Sequence, residues 1–394
     1  MRILEFGNIP SHAGGKANDG ANNVIYSLAE ALSALVGLNK IYLAATDFFK
    51  MKEKRENLTI IGWTKSILFK FILFHPILFL KALVMSSYSF FQYRYYDSFL
   101  KILFRNIFLT YSIYKIKPDI IHLHGIRAAI YMKLIPSKIN IIITMHGLFG
   151  NDNNVNNQSV VAKMEKEICS QTRSRCIVFV SNRILKAFKE QYGTILSSHY
   201  VILNAYDTKS FFYIPRISDD KLTLVTIASI SKRKGQKRVL EALKSCNKMI
   251  RYICIGSNLS GEANDLMDYA MQNNIDFEYF GTKKPSEIRE ILAQCDFMIL
   301  ASSSEGFPLV FLESIASGVP VIYSKELSLS NEGDLLNNSN SILLDNTKVN
   351  SIVKVISSLD KDEFNRKLIA EKIKKQNWSS IAELYNDLFT KHSF

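Results

Sequence analysis

Met1-Arg2-Ile3-Leu4-Glu5-Phe6-Gly7 is a short apolar run ending in glycine, and its continuation decides the class of fold. Residues 8–20, Asn8-Ile9-Pro10-Ser11-His12-Ala13-Gly14-Gly15-Lys16-Ala17-Asn18-Asp19-Gly20, are polar and rich in glycine. Val24, Leu28, Ala31, Leu32 and Leu35 then recur at helical spacing. A strand, a glycine loop and a helix in that order open a doubly wound α/β unit. The same alternation continues, with strands expected at 41–45, 118–125 (a strand and the turn that follows it), 140–145, 176–180 and 201–204. Ser181 is placed to cap a helix over 182–191. Residues 205–220, with Pro215 and Asp219-Asp220, read as a linker. A second series begins at 222–227 and continues with strands at 252–255, 277–280, 297–300 and 319–323. The last helix lies near 380–390, after Trp378. Alternating strands and helices on both sides of the linker imply two mainly parallel sheets.

Composition agrees with two domains, because 394 residues exceed one ordinary core. The apolar fraction of 47% is that of a globular chain, without the bias of a disordered or fibrous one. Five cysteines with no CxxC spacing read as reduced, buried thiols, which points to a cytoplasmic setting. The N-terminal apolar run is too short for a signal peptide.

Net charge is +13, and the excess is concentrated. From Lys65 to Lys117 eight cations (Lys65, Lys70, Lys81, Arg94, Lys101, Arg105, Lys115 and Lys117) face Asp97 alone. Phe69, Phe71, Phe74, Phe79, Phe90, Phe91, Tyr93, Tyr95 and Tyr96 lie in the same stretch. Basic, aromatic and aliphatic residues together suit an anionic lipid surface, so peripheral attachment at the inner face of a membrane through residues 65–117 is expected. No nucleic-acid motif accompanies the charge, and nucleic acid is not an expected partner. Lys70, His75, Pro76 and Lys81 interrupt the apolar run at 66–85, which falls short of a membrane span. An interfacial helix pair and two core helices with solvated lysines both remain open.

The richest local signal is Ser302-Ser303-Ser304-Glu305-Gly306-Phe307-Pro308-Leu309-Val310-Phe311-Leu312-Glu313-Ser314. Two carboxylates flank a Gly-Phe-Pro turn between an apolar strand and a helix. Pro308 suits the first helical position, and Gly306 permits close approach of a ligand. The N–H groups of a helix start favour anions, and carboxylates accept from hydroxyls. A molecule with phosphates and sugar hydroxyls would satisfy both. Two solvated carboxylates at a helix start are the plain alternative.

This stretch resembles the E-x7-E signature of retaining glycosyltransferases with the GT-B fold, most closely those of family 4. The resemblance extends over nearly the whole chain and is looser in the first half. It implies an α/β architecture of two Rossmann-like domains facing across a cleft. An acceptor domain would span 1–205 and a nucleotide-sugar domain 206–375, with 376–394 crossing back to the first. It implies that Glu313 holds the donor ribose and Glu305 the transferred sugar, with Gly306, Phe307 and Leu309 against sugar and phosphate.

Ala228-Ser229-Ile230-Ser231-Lys232-Arg233-Lys234-Gly235 resembles the family's diphosphate-binding loop. Lys234 matches its Lys, but Ser229 stands where the family has an Arg. Lys232 or Arg233 would then supply the second cation. Gly256 and Gly281 end strands and are candidates to line the nucleotide pocket. Gly14, Gly15 and Gly20 resemble the loop over the diphosphate that shapes the acceptor site, with His12 and Asp19 as acceptor-facing candidates. His146, in Thr144-Met145-His146-Gly147, ends a strand where open α/β sheets bind ligands. The resemblance places it near the reactive carbon; a structural histidine is the alternative. His122 and His124 share one strand face but lack a third ligand at metal spacing. Val201-Ile202-Leu203-Asn204-Ala205-Tyr206-Asp207 resembles the family's Pro-Asn-Gly-Val-Asp linker, with Leu203 for Pro and Ala205 for Gly. No Asp-x-Asp element follows a strand, so no metal or other cofactor is expected, the nucleotide sugar being a co-substrate. The resulting expectation is a retaining hexosyltransferase acting on a saccharide or lipid-linked acceptor in surface polysaccharide or glycolipid assembly. A nucleotide-sugar epimerase on the same fold and a silent membrane-associated binding protein are the alternatives.

Overall fold

The computed structural model of the chain describes all residues except 14, 16–19, 36–38, 49–51, 94–95, 151–156, 171–174, 218–220, 259–260, 328–334 and 393–394. Gly14 and Asp19, and the side chain of His12, therefore lie outside the described residues. The chain forms two compact units: Met1–Asn204 with Trp378–Phe394, and Ala205–Asn377.

The first unit holds eight strands: β1 (Arg2–Phe6), β2 (Lys40–Phe48), β3 (Lys52–Lys54), β4 (Leu58–Trp63), β5 (Ile120–His124), β6 (Asn140–Met145), β7 (Arg175–Phe179) and β8 (Ser198–Val201). They form one sheet in the order β3-β4-β2-β1-β5-β6-β7-β8, parallel except for β3 against β4. The second unit holds β9 (Leu222–Ile227), β10 (Ile250–Ile255), β11 (Phe277–Tyr279), β12 (Phe297–Leu300), β13 (Val321–Ser324) and β14 (Ser341–Leu344). Their order is β11-β10-β9-β12-β13-β14, all parallel. The central strands are buried on both faces, as parallel sheets covered by helices require: Ile3, Leu4, Leu224, Val225 and Ile299 are inaccessible.

Several boundaries differ from the sequence pattern. β8 occupies Ser198–Val201 rather than 201–204, because its partner β7 ends at Phe179, which pairs with Val201. Beyond that point β7 offers only the Phe179 carbonyl, which accepts from Ile202 N–H. β3, β4 and β14 were not expected from the sequence pattern. β3 is Lys-Glu-Lys, a charged edge strand whose composition hides it. Pro308 sits just before the helix Leu309–Ala316, one position earlier than expected.

The basic aromatic stretch forms the helices Lys65–Phe74, Pro76–Gln92 and Phe99–Ile116. The first two meet at a bend of 108° at His75 and Pro76, and no single helix among the described residues is long and apolar enough to cross a membrane. They are not core helices. The first buries only Phe71, and the second buries Ala82, Ser86 and Ser89. Ile77 is 82% exposed, Phe91 75%, and Phe69 and Phe74 68% each. The third helix is the one that packs inward, its Phe108 stacked on Trp63 with ring centroids 4.2 Å apart.

The C-terminal helix Trp378–Lys391 belongs to the first unit and packs on the helix Gly20–Ala34. Its Tyr385 and Phe389 rings lie 5.3 and 5.6 Å from the His122 ring of β5. Asn386 accepts a hydrogen bond from Asn39, and Asn140 donates to the His392 carbonyl. Phe389 is completely buried, so Phe389→Ala should cost about 3–5 kcal/mol through lost burial and a cavity. Urea denaturation followed by near-UV circular dichroism would measure it, and a loss under ~1 kcal/mol would contradict this placement.

Candidate functional site

In the second unit the strand order turns outward in both directions from the β9–β12 pair. The loops that leave the C-terminal ends of these two strands therefore diverge and open a crevice between them, where such sheets hold ligands. The loop after β9 carries residues 228–235, and the loop after β12 carries 301–308.

Glu305 is the hub of the two loops. Its Oε1 accepts from Lys234 Nζ, from Arg233 at 3.1 Å and from Ser302 Oγ at 2.8 Å. Arg233 also donates to the Ser304 carbonyl, and Ser303 N–H donates to the Arg233 carbonyl at 3.1 Å. Burial lowers the pKa of Lys234, with Glu305 opposing that shift and Arg233 adding to it. Of the two cations left open by Ser229, Arg233 stands beside Lys234 and Glu305, whereas Lys232 is exposed.

Three residues that sequence pattern alone does not single out hold this geometry. Gln236, 1% exposed, donates to the Ser229 carbonyl at 3.0 Å and so braces the loop. Arg238 donates to the carbonyls of Lys232 (3.0 Å) and Ala301 (2.6 Å), tying the β9 loop to the end of β12. Ser302, fully buried, is held through its carbonyl by Ser324 Oγ at 2.9 Å. Their common signal is a polar residue close to an element end.

Phe307 is 6% exposed and anchors the turn, while Gly306 and Leu309 remain partly accessible. Glu313 lies within the helix that Leu309 begins. Burial pushes its carboxyl up to about 7, and the Asp207 charge adds to the shift. Asp207 itself accepts from Lys209 N–H and Ser210 Oγ, forming the turn after Asn204-Ala205-Tyr206. Gly256 has φ +149° and N–H bonded to the Gly281 carbonyl at 2.9 Å; a Cβ there would meet the Ala228 carbonyl oxygen at 2.0 Å. Only glycine lets the ends of β9 and β10 come so close.

In the first unit the equivalent pair is β1 and β5, with strands receding to either side. Gly15 donates to the Pro10 carbonyl at 2.9 Å, and a Cβ on it would strike the Ile9 carbonyl oxygen at 1.9 Å. Gly20 begins the following helix, and no atom crowds its missing Cβ. His146 follows β6 and is partly accessible. The next residues are clamped by buried Glu165, which accepts from Phe149 N–H (2.7 Å), Gly150 N–H (3.0 Å) and Tyr192 Oη (2.6 Å).

Behind His146 runs a polar chain. His124 Nδ1 lies 3.2 Å from His146 Nε2, and His124 Nε2 lies 2.9 Å from Glu5. Glu5 also meets His122 Nδ1 at 2.9 Å; His122 Nε2 meets Thr144 Oγ1 at 2.7 Å, and Thr144 meets Tyr385 Oη at 3.0 Å. Glu5 thus supplies the third group missing from the His122 and His124 pair, with ligand atoms within 4.8 Å of one another. Register explains it, since Glu5 pairs with His122 across β1 and β5, 117 residues apart in sequence. The three side chains have donor types that suit a transition metal. Hydrogen bonds already satisfy every ring nitrogen of His122 and His124, so the cluster does not need an ion to be complete. A lone acid inside an apolar first strand was the available sequence signal for Glu5.

Two protein families match the chain. The family described as Glycosyltransferase Family 4 matches residues 18–210, and Glycosyl transferases group 1 matches residues 207–376. Among curated relatives, N-acetyl-alpha-D-glucosaminyl L-malate synthase of Bacillus anthracis is 24% identical over 274 residues, covering 66% of this chain and 69% of its own. Among solved structures, sucrose-phosphate synthase from Thermosynechococcus elongatus superposes with a TM-score of 0.74 at 16% identity, covering 99% of this chain and 100% of that one. HepE of Anabaena, solved in complex with UDP and glucose, superposes with a TM-score of 0.68 at 15% identity over the same shares. These likenesses establish the two-sheet GT-B fold.

The raised pKa of Glu313 has a consequence for stability. A carboxyl that folding moves from 4.5 to about 7 destabilises the native state once ionised. Its favourable, protonated condition holds below about pH 4.5 and is lost as pH rises through about 7. Glu313→Gln should therefore become more stable relative to the parent between pH 5 and 8, by at most ~3 kcal/mol and by less because the side chain is only partly buried. Thermal melts across that range would show the widening gap, and a gap independent of pH would contradict the assignment.

Proposed function

Since the chain is a glycosyltransferase of the GT-B fold, family 4-like, we propose that it moves a sugar from a nucleotide-sugar donor to a saccharide or lipid-linked acceptor, with retention at the anomeric carbon. The observation that carries this reading is the meeting of Lys234 and Arg233 with Glu305 in the crevice between the β9 and β12 loops. Two cations and a carboxylate there match a ligand that carries both phosphate oxygens and sugar hydroxyls. The relative solved with UDP and glucose supports that ligand class.

In this reading the second unit binds the donor and the first unit the acceptor. Lys234 and Arg233 meet the diphosphate. Lys234 has three donors and can keep one on Glu305 while giving others to phosphate. Glu313 accepts from the ribose hydroxyls and Glu305 from those of the sugar. The bond from the anomeric carbon to the phosphate oxygen breaks, and the electron pair leaves with the nucleoside diphosphate. The acceptor oxygen attacks the same face, and its proton passes to the departing phosphate oxygen. No covalent enzyme intermediate and no metal ion is required, because fixed cations stabilise the charge that develops on the leaving group. His146, at the C-terminal end of β6 in the first unit, is available to a ligand hydroxyl.

A thermal-shift panel of nucleotide sugars tests the donor site. A nucleotide at 100 times its dissociation constant should add about 2.7 kcal/mol of stability. Lys234→Ala should then lower kcat by roughly 10²–10³-fold, the usual cost of one transition-state charge contact. Absence of any shift across the panel would sink the reading, and an epimer formed from donor alone would replace it with an epimerase.

We infer the acceptor's setting from the exposed helix pair. Ile77, Phe74, Phe69 and Phe91 present apolar surface, and exposed Lys65, Lys70, Lys81 and Lys101 lie in the same stretch. Apolar side chains with lysines suit insertion at the headgroup boundary of an anionic bilayer. This would deliver the enzyme to a lipid-linked saccharide or a glycolipid at the inner membrane face. Flotation with vesicles containing anionic lipid should carry the protein upward, less so at high salt. Phe74→Glu with Ile77→Glu should abolish flotation. Equal, negligible binding of the parent to anionic and neutral vesicles would overturn the assignment.

A further inference from the structure

The arm that runs from Glu5 through His124 to His146 permits one arrangement of protons. Glu5 is fully buried. Burial alone would raise its pKa, but the nearby His122 and the hydrogen bonds from both imidazoles hold it at about 2. It is therefore a carboxylate that only accepts. His122 Nδ1 and His124 Nε2, both 2.9 Å from it, must each carry a proton. Burial and the neighbouring His122 keep the His124 pKa at about 4, so that ring holds one proton and its Nδ1 is a lone pair. The group 3.2 Å from that lone pair is His146 Nε2, which must then be the donor. On the other arm, Thr144 Oγ1 lies between His122 Nε2 at 2.7 Å and Tyr385 Oη at 3.0 Å, and either direction of donation satisfies all three groups. Both imidazoles point a proton toward Glu5.

We infer that Glu5 is a positioning residue that acts through His124 to hold His146 in one tautomer, protonated on Nε2 and bare on Nδ1. His146 Nδ1 has no hydrogen-bond partner among the described residues, and the side chain is partly accessible. His146 thus offers a fixed acceptor rather than a proton: it can orient a ligand hydroxyl but is not a general acid. Burial, with His124 and His122 nearby, also keeps its pKa well below the usual histidine range, so the ring stays neutral at physiological pH. A further layer of positioning is built in, since Thr144 and Tyr385 fix the ring of His122 and thereby the carboxylate of Glu5. The tautomer stands on the first unit alone; that the hydroxyl belongs to a sugar rests on the transferase reading above.

Long-range 1H–15N spectra of the ring nitrogens test the inference on the full chain, which has seven histidines. The His146 signals would be assigned with His146→Gln. At neutral pH and without substrate the parent should show protons on His122 Nδ1, His124 Nε2 and His146 Nε2, and a bare His146 Nδ1. A proton on His146 Nδ1, alone or with Nε2, would overturn the proposal. Glu5→Met removes the common acceptor and should leave His146 averaging between its two tautomers. Loss of a buried carboxylate can impair folding, so His124→Phe provides a second route: His122 should keep its Nδ1 proton on Glu5 while His146 loses its single tautomer. An unchanged His146 signature in either folded variant would also overturn it. Loss of the nucleotide-induced thermal shift bears on the donor reading and leaves this spectrum unaffected, so the two can fail separately.

Discussion

Parallel strands must be joined by crossovers, and a sheet that begins at its centre must send later strands to either side. β9 starts the second unit and is flanked by β10 and β12; β1 starts the first unit and is flanked by β2 and β5. The loops after β9 and β12 diverge as a result, and the side chains on them converge. Lys234 and Glu305, 71 residues apart in the chain, meet only because of this order. Glu5 and His122 meet for a related reason, as register partners on adjacent strands. Both groups of polar residues depend on which strand lies next to which, and neither survives a change of strand order.

Each unit also has to manage a buried carboxylate, and the two solve that problem in different ways. Glu305 is compensated by cations, Lys234 and Arg233, together with the Ser302 hydroxyl. A carboxylate matched by mobile cationic side chains can exchange partners with an incoming anion, which suits a ligand site. Glu5 is compensated by two imidazoles whose far nitrogens are themselves bonded. Such a network cannot change one bond without shifting the next, so it fixes orientation rather than exchanging partners. Glu313 is a third case, a carboxyl raised by burial and by the Asp207 charge. Ionising it is costly in the free protein, and hydroxyl donors from a ligand would reduce that cost.

The helix pair Lys65–Phe74 and Pro76–Gln92 shows where composition and topology speak to different questions. Its residues would serve equally in a core or at an interface, because both are apolar and aromatic. Packing excludes the core: the inward positions are already taken by the helix Phe99–Ile116, whose Phe108 stacks on Trp63. The two helices meet at 108°, and apart from Phe71 their large apolar side chains are exposed or half-buried, Tyr93 lying beyond the second helix.

Periodicity and turn chemistry in the chain determine the alternation of strands and helices, the two-unit division and the loops that hold Lys234, Glu305 and His146. These features are local, since strand length, helical spacing and glycine placement act over a few residues. Motif resemblance also locates Glu313, because it lies in the same contiguous stretch as Glu305. Several other features are not local. That Arg233 rather than Lys232 stands beside Glu305 depends on which side chain the β9 loop directs toward the β12 loop. The bracing by Gln236 and Arg238, the edge strand β3 and the end of β8 at Val201 depend on neighbours distant in sequence. Glu5 is the clearest case: in the sequence it is one acid in a short apolar strand, with nothing near it to explain its burial. Its partners arrive from β5, β6 and the C-terminal helix only when the sheet is assembled, because hydrogen bonds act over about 3 Å of space whatever the separation along the chain.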